Sequence, residues 1–175
     1  MLHIRADVRR LYPSGNFALC LLLALLSPRY HPVLLYRLTQ ACLRLRLAPL
    51  AYVLSYVNLV LYRVEIALRS EIGPGLEIPH GNCVIGALRI GSGFSIFQGC
   101  TIGSRAGNLE NPQEPVGEDR PVIGDNVVMY ANSVVVGPIV IGSNCTIGAN
   151  TLVMQNMADG QVARCAPAMI EARRS

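Results

Sequence analysis

The sequence predicts a mostly β protein: a parallel β-helix of hexapeptide repeats preceded by an α-helical N-terminal region. Three observations carry this expectation. An aliphatic residue returns every sixth position, at Ile66, Ile72, Ile78, Val84, Ile90, Ile96 and Ile102, then at Ile123, Met129, Val135, Ile141, Ile147 and Val153. An α-helix would show a period near 3.6 and a half-buried strand a period of 2. A period of six fits short strands and tight turns wound into a coil, each aliphatic side chain pointing inward. The fifth position of each hexad supports the same register. It holds Leu76, Leu88, Phe94, Cys100, Val127, Ser133, Ile139, Cys145 and Thr151, mostly apolar or small. Two inward positions per hexad make a narrow core that stacks coil on coil. Finally, Gly follows the aliphatic residue directly at Gly73, Gly91, Gly103, Gly124, Gly142 and Gly148, supplying turns.

With three hexads to a triangular coil, as in known hexapeptide proteins, the coils begin at Ile66, Val84, Ile102 and Ile141. The third is interrupted. Ile102 and Ile123 lie 21 residues apart, and Ser104 to Val122 carry three Pro, two Gly and several charges, among them Glu110, Glu114, Glu118, Asp119 and Arg120. A polar stretch breaking a regular scaffold reads as a surface loop, and long loops on rigid scaffolds often serve function. The expected organisation is an α-helical region at 1–63, a β-helix at 64–157 with an extended loop at 104–122, and a tail at 158–175. Within the first region, helices are expected over 3–12, 16–26, 31–47 and 50–62, punctuated by Pro13, Pro28 and Pro49.

Composition narrows the function. The net charge is +4, with no basic run interleaved with aromatics, so nucleic acid is a poor partner. Nothing resembles a phosphate-binding P-loop. Six Cys are scattered without CxxC spacing, and reduced thiols suit a cytoplasmic protein. Cys100 and Cys145 fall on inward positions, where a small core residue is expected. The apolar run Phe17–Leu26 lies too far in for a signal peptide and is too short to span a bilayer. The segment 31–47 has apolar and basic faces. Packing against the coil or another subunit explains them; peripheral docking at an anionic membrane surface, such as the inner membrane, is the alternative.

Three His are the available bases. His3 sits near a chain end and His31 precedes Pro32 at a helix start. His80, in Ile78-Pro79-His80-Gly81, falls at an outward hexad position beside a rigid turn. An exposed imidazole there suits a general base. A base works better when a carboxylate fixes its other ring nitrogen. Glu65, 15 residues earlier, lies almost one coil back; Glu71 and Glu77 are nearer in sequence and serve equally well in principle.

These residues resemble the hexapeptide-repeat acyltransferases, in the branch of serine acetyltransferases and related exopolysaccharide O-acetyltransferases. Val64-Glu65-Ile66 through Ile72-Gly73-Pro74-Gly75 to Ile78-Pro79-His80-Gly81 is similar, without a gap, to the family's catalytic segment. Ile96-Phe97-Gln98, Thr101-Ile102-Gly103, Pro121-Val122-Ile123-Gly124-Asp125 and Ala166-Pro167-Ala168 match further landmarks. The resemblance, over at least 64–168, implies a left-handed β-helix and acetyl transfer from acetyl-CoA to an acceptor hydroxyl. His80 is then the catalytic base and Glu65 its orienting carboxylate. Pro79, Gln98 and Arg120 fall on acceptor-side positions. Gly103, Ser104, Tyr130, Ala131, Gly148, Ala149, Arg164 and Pro167 fall along the coenzyme groove, where Arg164, Arg173 or Arg174 would meet phosphates. No metal is implied. Because that groove lies between neighbouring β-helices, the active unit is a homotrimer or a dimer of trimers.

Three departures bear on the acceptor. Pro79 stands where the serine enzymes have Asp, Arg120 is followed by Pro121 rather than a second His, and the loop is longer. The implied acceptor is therefore L-serine or a sugar hydroxyl of a surface polysaccharide. Three rival readings accompany this one. Cys83 beside His80 could form an acyl-enzyme. A metal-dependent hydratase needs several His ligands, and His3, His31 and His80 make no such set. A non-catalytic trimeric scaffold or regulatory protein would bind coenzyme A without turnover.

Overall fold

A computed structural model describes residues 3–104 and 119–166. Four helices precede the strands, close to the expected bounds: α1 (Ile4–Leu11), α2 (Phe17–Leu26), α3 (His31–Arg44) and α4 (Ala48–Tyr62). Pro13 and Pro28 lie in the breaks between helices as expected, whereas Pro49 falls inside α4 rather than before it. Pro32 and Pro49 occupy the first turns of α3 and α4, where a missing N–H costs nothing, and the Asn16 side chain caps α2 through Ala18 N at 2.8 Å.

The strands that follow form three parallel sheets, the three faces of a β-helix. The first face stacks β1 (Val64–Ile66), β3 (Cys83–Ile85), β6 (Thr101–Gly103), β9 (Val134–Val136) and β12 (Leu152–Val153). The second stacks β2 (Glu71–Ile72), β4 (Arg89–Ile90), β7 (Val122–Ile123) and β10 (Val140–Ile141). The third stacks β5 (Ser95–Ile96), β8 (Val128–Met129), β11 (Thr146–Ile147) and β13 (Val162–Ala163), with Glu77 bridging to Ser95 above them. Successive coils put one aliphatic residue upon another: Ile66, Ile85, Ile102, Val135 and Val153 form one such column. All five are buried in a single core with Ile72, Ile78, Ile90, Ile96, Ile123, Met129, Ile141 and Ile147.

The expected register fails in one place. Val84 points outward, 41% exposed, and it is Ile85, fully buried, that occupies the column. Leu88 is likewise outside, and Ala87 takes its inward place. Counting along the chain, Ile78 to Ile85 takes seven residues and Ile85 to Ile90 takes five, where every neighbouring step takes six. The extra residue is absorbed in the turn Pro79–Asn82, and the shortfall follows in the next corner. The fourth coil begins at Val135, which pairs with Ile102, rather than at Ile141.

The glycines also serve differently from expectation. Left-handed backbone is held by Asn82, Gly99, Asn132 and Asn150 at one corner and by Gly75, Gly93, Asn126, Asn144 and Gly160 at another. Asn tolerates that conformation better than most residues. Gly73, by contrast, is required by close approach, since a Cβ there would come within 2.7 Å of the Gly91 backbone in the next coil.

The helical region is clamped onto the first coil by a buried ion pair. Arg37 Nε donates to Asp7 Oδ2 at 2.8 Å, and its other nitrogens donate to the Ile72 and Gly73 carbonyls, each at 2.7 Å. Asp7 Oδ1 accepts the backbone N–H groups of Gly75 and Leu76 at 2.8 and 3.0 Å. Both charges are thus satisfied by several partners, the condition for burying an ion pair without a large penalty.

Candidate active site

The irregular turn that presents His80 is held from two sides. From above, the C-terminal end of α4 supplies carbonyls: Asn82 N donates to Tyr62 O at 3.3 Å and Cys83 N to Arg63 O at 3.0 Å. Gly81 packs directly against Tyr62 O, leaving no room for a side chain. From below, Gly99 N donates to Asn82 O at 2.8 Å and the Cys83 thiol to Phe97 O at 3.1 Å. His31 fixes the helix end in turn. Its Nδ1 lies 2.8 Å from the Tyr62 hydroxyl and its Nε2 2.8 Å from Leu25 O, joining α2, α3 and α4. The boundary histidine of the sequence is therefore a latch behind the site.

His80 itself is exposed, and its ring faces Phe97 with centroids 6.4 Å apart. Phe97 stacks in turn on Tyr130 at 5.3 Å, with planes 20° apart. An imidazole thus stands at the top of an aromatic wall running down one corner of the β-helix. Most of the expected site residues lie on that same corner, between the third face and the first. Pro79 and His80, then Gln98, then Tyr130 and Ala131, then Gly148 and Ala149, and finally Arg164 follow one another coil by coil. At about 4.8 Å per stacked strand, the four steps from His80 to Arg164 cover about 19 Å. A cleft of about 550 Å³ at the lower end is lined by Leu152, Met154, Val162 and Arg164.

Other expected residues are elsewhere. Gly103, Ser104 and Arg120 flank the loop at the corner between the first and second faces. Arg120 folds back onto that corner, its guanidinium 3.4 Å from the Ala87 carbonyl. Pro167, Arg173, Arg174 and most of the loop fall outside the described residues.

The carboxylates separate cleanly. Glu77 accepts from the Ser95 hydroxyl at 2.8 Å and pairs with Arg10 at 3.4 Å, so it is committed to the helix–coil junction. Glu71 lies on the second face. Glu65 is exposed on the outward side of β1, opposite Val84 and on the same face that His80 enters. No hydrogen bond joins Glu65 to His80 among the described residues. Cys83 makes a poor nucleophile: it is 1% exposed, and burial pushes its thiol up to about 11. Among the described residues no group of three or more His, Cys, Asp or Glu could hold a metal.

Sequence reasoning missed Phe97 as a site residue. Nothing in the local period marks it: the pairing of Ile96 with Met129 across the loop is what sets Phe97 above Tyr130.

Residues 120–155 match the family of bacterial transferase hexapeptide proteins (six repeats). The chain is 35% identical over 141 residues to serine acetyltransferase of Helicobacter pylori, covering 79% of this chain and 78% of that protein. It belongs to the hexapeptide-repeat serine acetyltransferase family. Serine acetyltransferase of Staphylococcus xylosus is 37% identical over 110 residues, 62% of this chain, which spans only 48% of that relative. Among solved structures, Neisseria gonorrhoeae serine acetyltransferase superposes with a TM-score of 0.76 at 26% identity, over 98% of this chain and 65% of that one. The same enzyme has been solved with serine, with a TM-score of 0.75, 26% identity and coverage of 95% and 67%. The fold is accordingly the left-handed β-helix of these enzymes.

Proposed function

We propose that this member of the family transfers an acetyl group from acetyl-CoA to an acceptor hydroxyl, with His80 as general base. The observation that carries the reading is the placement of His80: exposed, outside the regular coil path, and braced by α4 above and Gly99 below. An alcohol is a weak nucleophile at neutral pH. His80 would take its proton as the oxygen attacks the thioester carbonyl, then return that proton to the departing thiolate of coenzyme A. Glu65 would approach His80 and hold the imidazolium once acceptor and coenzyme close the site. Apo geometry is often looser than the reacting complex. A backbone N–H of the corner would stabilise the oxyanion.

Acetyl-CoA would lie along the aromatic corner, thioester at His80 and phosphates toward Arg164, with Gly148 and Ala149 allowing close approach. Gln98 and Pro79 would flank the acceptor. Arg120 on the acceptor side, and Gly103 and Ser104 of the coenzyme set, lie away from His80 within one chain and would reach acceptor and coenzyme only across a subunit boundary, as expected for a homotrimer. The outward stripe Val84, Val134 and Leu152 on the first face supports that assembly, since it offers apolar surface beside the site. The helical region would meet a membrane surface rather than cross one, which leaves any pairing of two trimers to surfaces other than the apolar side of α4. No single described helix is long and apolar enough to cross. A cytoplasmic location fits acetyl-CoA.

L-serine is the first acceptor, by similarity to enzymes of that name. A sugar hydroxyl, as in polysaccharide biosynthesis, is the second reading, favoured by Pro79 and by Arg120-Pro121. Thiol release from acetyl-CoA with L-serine as sole acceptor separates them. Serine-dependent release supports the first, and release only with glycans the second. Coenzyme A binding with no turnover on either would replace both by the non-catalytic scaffold.

A further inference from the structure

The helical region carries an apolar stripe that no described part of the chain covers. Tyr52, Val53, Tyr56, Leu59 and Val60 all lie on one side of α4, and each is 42–67% exposed. Their spacing keeps them on a continuous face along the helix. At the C-terminal end of α4 the stripe meets α2, because His31 ties Tyr62 to Leu25, and Leu25 and Leu26 are exposed there. Charge around the stripe has one sign. Between Asp7 and Glu65 the sequence has no acidic residue and seven arginines. Three of these, Arg29, Arg46 and Arg63, are exposed at the end of α2 and at the two ends of α4.

We propose that α4 and the adjoining end of α2 dock this protein on a membrane with anionic headgroups. A second copy docked face to face would set these arginines against their own counterparts, with no acidic residue between Asp7 and Glu65 to answer them and Asp7 itself buried against Arg37. Anionic lipid answers all of them. Tyr52 and Tyr56 suit the same place, since their rings are apolar and their hydroxyls seek water. At 15 residues α4 is too short to cross and fits a helix lying in the interface. The docking element is also the one that braces His80, through Tyr62 O and Arg63 O. Docking therefore holds the catalytic turn one helix end from the lipid, within reach of an acceptor carried by the membrane. Only this last step rests on the proposed acetyl transfer.

The test is flotation of the full chain with vesicles of phosphatidylcholine alone and of phosphatidylcholine with phosphatidylglycerol, beside its sedimentation without lipid. The protein should float with anionic vesicles and lose about tenfold or more in binding on neutral vesicles or at high salt. The pair Val53→Asp and Val60→Asp should abolish flotation. Arg29→Glu with Arg46→Glu should weaken it by about tenfold or more. Each variant should keep the wild-type circular dichroism and melting temperature. Failure to float with anionic vesicles would overturn the proposal, as would binding indifferent to both pairs. So would self-association without lipid that Val53→Asp and Val60→Asp remove, because that result assigns the stripe to a second copy. Flotation is read without turnover, so its failure leaves thiol release from acetyl-CoA to be judged separately.

Discussion

From Ile123 to Val153 each inward residue follows the last by six, and the column residues are buried almost completely. Between Ile78 and Ile90 the same two steps take seven residues and then five. The late coils are scaffold: their corners repeat Asn on Asn, with Asn132 Nδ2 donating to Asn150 Oδ1 at 3.3 Å and Asn126 Nδ2 to Asn144 Oδ1 at 3.2 Å. The early irregular turn has no such repeat beneath the helices. It is held instead by carbonyls from α4, and it lifts His80 out of the regular path. A solenoid stabilises each coil through its neighbours, so a coil can deviate only where something else supplies the missing contacts. Here the helical region supplies them. The proposed chemistry sits where the period breaks, and the break is affordable because the helices are docked there.

That contrast can be broken experimentally, beginning with the clamp. Asp7→Ala leaves the buried Arg37 guanidinium and the Gly75 and Leu76 N–H groups without their acceptor. It should cost about 3–5 kcal/mol in unfolding free energy, measured by urea denaturation, and should reduce any activity assigned to His80 at the same time. A comparable change at a buried late-coil position away from the coenzyme corner should lower stability without selective loss of activity.

The register comes next. Ile85→Ala removes a fully buried side chain and should cost about 2–5 kcal/mol, whereas Val84→Ala beside it should cost under about 1 kcal/mol to the fold. The reverse order would restore the strict period of six through the His80 turn. A smaller contrast lies in two glycines. Gly81→Ala drives a methyl into Tyr62 O and should destabilise by about 2 kcal/mol, while Gly103→Ala meets nothing within 4 Å among the described residues and should leave stability nearly unchanged. The smallest effect is chemical. With its thiol near 11, Cys83 is about one part in a thousand thiolate at pH 8, and it is buried besides. Mass spectrometry should find exposed Cys165 alkylated by iodoacetamide well before Cys83 in the folded protein. Because the Cys83 pKa is raised, its labelling should increase as pH climbs toward 11. Rapid labelling at neutral pH would reopen the acyl-enzyme reading.

Much of this was legible in the sequence. The six-residue period gave the coil, and the prolines placed four helices within a few residues of their observed ends. The slip at Val84 was hidden because Val84 and Ile85 are both aliphatic and β-branched, so either satisfies the pattern. Only the column partners Ile66 and Ile102 decide between them. Asp7 and Arg37 were silent for a similar reason, since a pair 30 residues apart leaves no mark in local periodicity. His80 stood out because few other bases exist. Its aromatic neighbour Phe97 did not, because an outward position carries no periodic constraint, and Tyr130 is reached from it only across the loop. Glu65 was chosen from three carboxylates on resemblance; the structure removes Glu77 through Arg10 and Ser95 and leaves Glu65 exposed on the relevant face.

The central claim is that the out-of-period turn is the catalytic element, and its most direct test is acetyl-CoA thiol release with the best acceptor, comparing wild type with His80→Ala. The account predicts a loss of about 10²- to 10⁴-fold in kcat, with unchanged melting temperature and coenzyme A affinity. Wild-type turnover in His80→Ala would contradict it and move the chemistry to another part of the corner.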